Sequence, residues 1–147
     1  MITEERKIEK MCALCVSDYH LEMILLPYIK SRLNSSNFIV FTENNLEETL
    51  NVLLTKINLD KDIIKRIKDI GWKNENSVEK LERYLSEDKE INVIINGDIK
   101  YIEETNNYIR RISKKINIID CYHICDINVD ISEIKEKYNC VLNTQKI

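Results

Sequence analysis

The chain has 147 residues, a formal net charge of -3 and 32% charged residues. One domain of this length buries enough surface to hold a core without disulfides or a metal, and Lys and Arg are interspersed with Asp and Glu, which leaves no basic footprint for nucleic acid. No run of about 18 apolar residues is present, so no membrane-spanning helix is expected.

The opening stretch "MITEERKIEK" is charged and has no apolar segment of the secretory kind. The five cysteines are therefore expected as thiols in a reducing, cytoplasmic setting.

In chain order, "MCALCV" (11–16) is a continuous apolar run, which suits a strand buried on both faces. Ser17 or Asp18 then caps a helix over 19–33, apolar nearly all round, with Pro27 expected to kink it or mark a restart. "NFIVFTEN" (37–44) reads as the second strand, followed by Asn45 and Glu48 in capping-box spacing and a helix with Leu46, Leu50, Leu53, Leu54 and Ile57 on one face. Asp60 starts another helix that ends at Gly71 as its C′ residue, and Trp72 is expected to pack back on that end.

A helix over about 77–86 carries the stripe Val78, Leu81, Leu85. "INVIING" (91–97) is the third strand, and Asp98 starts a helix with Ile102, Ile109 and Ile112 on one side. "INIIDCYHI" (116–124) is the fourth strand. Asp130 and Glu133 signal a helix start, and "CVLNT" (140–144) is a short last strand.

Every strand-to-strand connection holds a helical segment, which predicts a parallel sheet covered on both faces. The expected fold is a three-layer α/β domain with about five strands, of RecA-like or Rossmann-like type. It takes the whole chain, 1–147, with the long connection 45–90 able to form a small helical cap over about 58–88.

In open α/β sheets ligands sit at the carboxyl ends of the strands, near the topological switch point. Those ends carry Ser17, Asp18, His20, Glu43, Asn96, Asp98 and Asp126, and these are the candidate ligand-binding residues. Each also has the composition of a helix cap. A phosphate cradle is not expected: the chain has two glycines, Gly71 and Gly97, and the turn "SDYHLE" lacks the Gly-Lys-Ser/Thr element while offering carboxylates.

Cys12 and Cys15 form a C-x-x-C pair, but residues three apart on a strand face opposite sides and cannot share one metal. Cys121, His123 and Cys125 share one strand face, and with Cys12 or Cys15 from a neighbouring first strand they make a candidate Cys3His set. A histidine in such a strand is more often a hydrogen-bonded core residue, and that is the first expectation for His123.

The apolar first strand without a phosphate loop, the helix "HLEMILLPYIKSRL", "NFIVFTEN", "VIINGD" before a helix, and a late Cys/Tyr-containing strand followed by a short helix and "CVLNT" together resemble the MEDS (methanogen/methylotroph DcmR-type sensory) domain, a RecA-like module without a Walker A loop, although Cys121-Tyr122 and Cys125-Asp126 each match the family's Cys-x-Tyr-Asp only in part. The resemblance spans about 10–144. It departs at "SRLNSSN", where the family carries Gly-Leu and Gly-Glu.

The resemblance implies a sensory or regulatory module of the kind often joined to kinase or DNA-binding domains. The expected function is accordingly non-enzymatic: binding of a small ligand or a protein partner at the strand ends, with no cofactor, no nucleic acid and no membrane, and with self-association left open. The alternatives are a thiol or zinc protein built on the Cys/His cluster and a small enzyme working from the acidic strand-end rim.

Overall fold

The five apolar runs become five strands: β1 (Lys10–Cys15), β2 (Ser36–Thr42), β3 (Glu90–Asn96), β4 (Asn117–His123) and β5 (Cys140–Leu142). The computed structural model describes residues 10–113, 115–124 and 131–142. The strands form one sheet in the order β2-β3-β4-β1-β5, and every pairing is parallel. In the β1–β4 register Ala13 lies beside Cys121 and Cys15 beside His123.

The helices are α1 (Asp18–Arg32), α2 (Glu47–Lys56), α3 (Lys61–Asp69), α4 (Ser77–Leu85), α5 (Ile99–Ile112) and α6 (Ile131–Glu136). Side chains from α1, α2 and α3 join Met11, Ala13, Cys15, Val40, Ile119 and Cys121 in the core on one face of the sheet. Leu81 of α4, Ile102 and Ile109 of α5 and Ile134 of α6 join Cys12, Ile39, Val93 and Ile118 on the other. The result is the three-layer α/β architecture that continuous apolar strands require, since a strand covered on both faces has no solvent side to make polar. The segment 58–88 thus supplies α3 to one layer and α4 to the other.

The local signals explain most boundaries. α1 runs as one helical element through Pro27. Gly71 follows α3 with φ +86°, a backbone conformation that favours glycine. Trp72 then folds back, fully buried, with its Nε1–H donated to Ile67 O at 2.8 Å, while its own carbonyl accepts the Leu46 N–H at 2.8 Å.

That last bond overrides the capping box expected from Asn45 and Glu48. Buried Leu46 takes the N-cap position of α2, and Asn45 Oδ1 instead accepts the Glu47 N–H at 2.9 Å. On α4 the buried face is set by Ser77, whose hydroxyl donates to Val40 O at 2.8 Å, and by Leu81 one turn on. Val78 and Leu85 of the expected stripe are exposed, as is Ile112 in the last turn of α5, because these positions fall beside or beyond the contact with the sheet.

Candidate functional site

The chain leaves β1 and β4 on opposite faces of the sheet: α1 covers one face and α6 the other, although the two strands are neighbours. In open α/β sheets such a divergence marks the switch point, at whose carboxyl edge ligands bind. A backbone bond from Ile124 N–H to Cys15 O, 2.9 Å, extends the β1–β4 ladder to its edge.

Four side chains from four adjacent strand ends line up across this edge. His123 Nε2 lies 3.2 Å from Asp18 Oδ1 and 3.2 Å from Asn96 Oδ1, and Asn96 Nδ2 donates to Thr42 Oγ1 at 3.1 Å. Because the Asn96 amide nitrogen is committed to Thr42, its oxygen faces His123, which assigns the His123 proton to Nε2. Thr42 is saturated, accepting from Asn44 N–H and donating to Asn44 O. Asp18 Oδ1 is shielded from solvent and makes no well-directed hydrogen bond among the described residues. The His123 ring stands beside it as an electrostatic neighbour, with its Nε2 at equal distance from Asn96.

The helix N-termini on this rim are closed by the protein's own side chains. Ser17, in extended conformation, accepts the His20 N–H at 3.1 Å, and His20 Nδ1 accepts the Val16 N–H at 3.0 Å. Asp98 Oδ1 accepts the Tyr101 N–H at 2.7 Å, and Glu43 Oε1 accepts the Asp98 N–H, also at 2.7 Å. Glu43 reaches that position because residue 97 is glycine: a Cβ there would stand 2.5 Å from Glu43 Oε1 and 2.5 Å from Tyr101 Cδ1. A carboxylate of the chain itself therefore occupies the place an anion would take at the start of α5.

Of the candidate residues, Asp18 and Asn96 meet at His123, while Ser17 and His20 close the α1 turn and Glu43 and Asp98 close the α5 turn. Asp126 lies outside the described residues, as does Cys125. Beyond the end of β2, Thr42, Glu43 and Asn44 line an open cleft of about 420 Å³ with Lys73, Asn74 and Glu75.

Sequence reasoning counted Glu22 only among the phosphate-repelling carboxylates of "SDYHLE" and not as a buried group. It lies one turn after Asp18 on α1, is fully buried, and accepts the Thr49 hydroxyl at 2.6 Å, while its second oxygen has no hydrogen bond among the described residues. Burial pushes its carboxyl up to about 7, the Thr49 bond opposes that shift, and the nearby Asp18 carboxylate adds to it. The signal was present in the sequence as a lone carboxylate among the apolar residues of "LEMILL".

The cysteines sort as the strand period demands. Cys12 and Cys15 are fully buried thiols in the cores on opposite faces. Cys15 Sγ points to Tyr122 O at 3.4 Å and Cys121 Sγ to Ile119 O at 3.8 Å. Burial pushes the Cys12 thiol up to about 11 and raises Cys121 well above the ordinary thiol value. Among the described residues no three His, Cys, Asp or Glu side chains converge as a metal site, and no helix is long and apolar enough to cross a membrane. No family model, curated protein or solved structure matches the chain.

Proposed function

We propose that the chain is a sensory or regulatory module that binds a small molecule at the crevice beside Asp18 and His123. The observation that carries this reading is Asp18 Oδ1, shielded from solvent at the switch-point edge, 3.2 Å from His123 Nε2 but without a well-directed hydrogen bond among the described residues, while the neighbouring helix N-termini are already capped. Such a site favours a ligand with a hydrogen-bond donor and an apolar body, and it disfavours phosphate, which Asp18 and Glu43 repel. The resemblance to the MEDS domain supports the same reading.

The test is a thermal-shift comparison of nucleotides with small alcohols and amines, since a ligand that binds only the folded chain raises its melting temperature. An alcohol or amine that raises it in the native chain but not in Asp18→Asn or His123→Gln supports the proposal. Stabilisation by ATP with magnesium dependence overturns it.

A second reading rests on the Asp18–His123 pair itself, an arrangement that orients a histidine for proton transfer. Turnover of an ester or amide panel, abolished in His123→Gln, would favour that enzyme over the sensory module.

A further inference from the structure

A second cleft, of about 300 Å³, lies on the other half of the molecule, between α5 and the chain just after α6. Because α5 runs back from the carboxyl edge of the sheet, its residues Asn106 and Arg110 lie toward the amino edge, away from the Asp18–His123 crevice. The inference is independent of the reading given to that crevice.

The floor of the cleft is built from acceptors. Asp120, a charged residue in the middle of β4, is almost wholly buried. Its Oδ1 accepts from Asn106 Nδ2 at 2.7 Å and its Oδ2 from the Tyr138 hydroxyl at 2.7 Å. The Tyr122 and Tyr138 hydroxyls are in turn hydrogen-bonded to each other, with their rings edge to face. Asn106 is 6% exposed, and its amide nitrogen is committed twice, to Asp120 and to Ile102 O. Its oxygen has no hydrogen-bond partner among the described residues. A buried carbonyl oxygen left in this state costs free energy, and Asn106 is one of the residues that line the cleft.

The mouth has the opposite character. Arg110 and Lys137 are exposed there beside the exposed carboxylate Glu103, and Lys10 lies half-buried with its ammonium 5.2 Å from the centre of the Tyr138 ring, so cations outnumber the one carboxylate at the rim. Acceptors at the bottom and a rim with an excess of cations match a molecule with an ammonium group at one end and a carboxylate at the other.

We infer that the α5–α6 cleft is a binding site for a small zwitterion of amino-acid size, with its ammonium toward Asn106 and Asp120 and its carboxylate toward Arg110 and Lys137. The volume is at the small end of ligand pockets and suits an amino acid better than a nucleotide.

The test is a thermal-shift screen of the full chain against each of the twenty common amino acids at about 10 mM, with propanoate and ethylamine as single-charge controls. It is followed by NMR mapping of the best hit. The inference holds if at least one amino acid raises the melting temperature by several degrees where neither control does, and if its shift perturbations centre on the Asn106 side-chain amide. It also requires that Arg110→Gln, an exposed substitution that leaves the core intact, weaken binding about tenfold, the loss expected for one charge-assisted contact. Asn106→Leu should abolish the effect where the variant folds. The inference is overturned if no amino acid stabilises the chain, if propanoate alone does as well, or if the perturbations centre on His123.

Discussion

The Thr49 hydroxyl donates to the fully buried Glu22 carboxyl at 2.6 Å across the α1–α2 contact. Glu22 is raised from an ordinary 4.5 to about 7, with burial as the main cause. The folded chain therefore keeps a proton that the unfolded chain releases. The stability this group contributes is fully present below pH 4.5 and is lost as pH rises through about 7. The loss is on the order of 3 kcal/mol. Glu22→Gln keeps an acceptor for Thr49 and removes the titration. Its urea midpoint should exceed that of the native chain at pH 8, and the difference should shrink toward pH 5. Parallel pH profiles for the two proteins would show that Glu22 does not titrate in this range.

A second prediction concerns Gly97. Alanine there would put its methyl 2.5 Å from both Glu43 Oε1 and Tyr101 Cδ1, so Glu43 must release the Asp98 N–H. Gly97→Ala should cost about 1–3 kcal/mol, from overpacking and a lost charge-assisted hydrogen bond. Glu43→Ala removes one of the two obstructing groups. The double variant should therefore be less destabilised than the sum of the singles, by about 0.5 kcal/mol or more in a denaturation cycle.

The strands were legible because each apolar run is bounded by polar residues and is too short for a buried helix. The parallel order followed from the helical connections. Ser17 and Asp98 were legible as caps because capping is a local matter of three residues. The sites were much less legible, because their partners are distant in the chain. Glu43 meets Asp98 from 55 residues away, and Asp120 meets Tyr138 from 18. A sequence shows Glu22 and Asp120 as charges inside apolar runs, which flags them, but only the packing of α2 on α1, and of α5 and the chain after α6 on the sheet, says what surrounds them. The stripe expected on α4 failed for a related reason: periodicity names the apolar face, while the hydrogen bond from Ser77 to Val40 fixes which part of it meets the sheet.

A third prediction separates Ser17 from Asp18, which the sequence left as equivalent caps. The structure gives the capping bond to Ser17, through the His20 N–H. Ser17→Ala should lower stability by about 0.5–2 kcal/mol, the usual cost of a lost N-cap. Asp18→Ala should cost less and should move the His123 ring resonances in an NMR spectrum, which Ser17→Ala leaves in place. Equal destabilisation by the two, with His123 unmoved, would place the cap on Asp18 instead.

The last prediction concerns thiol chemistry. Thiolate is the reactive form, so reactivity needs both access and an accessible pKa. Cys12, Cys15 and Cys121 are fully buried, and burial holds Cys12 at about 11 and Cys121 higher than an ordinary thiol. Cys140 at the start of β5 is exposed. Iodoacetamide at pH 8 followed by peptide mapping, which reads each cysteine separately, should label Cys140 readily and leave Cys12, Cys15 and Cys121 unmodified until urea unfolds the chain. Cys15→Ala should cost about 1 kcal/mol or more through lost packing, and it should leave the labelling of Cys140 as it was. Fast labelling of Cys15 or Cys121 in the native chain would mean that the core on the α1 face opens at the β1–β4 edge. The thiol reading of this protein would then gain on the sensory one, because an open core thiol beside His123 has the base that nucleophilic sulfur chemistry requires.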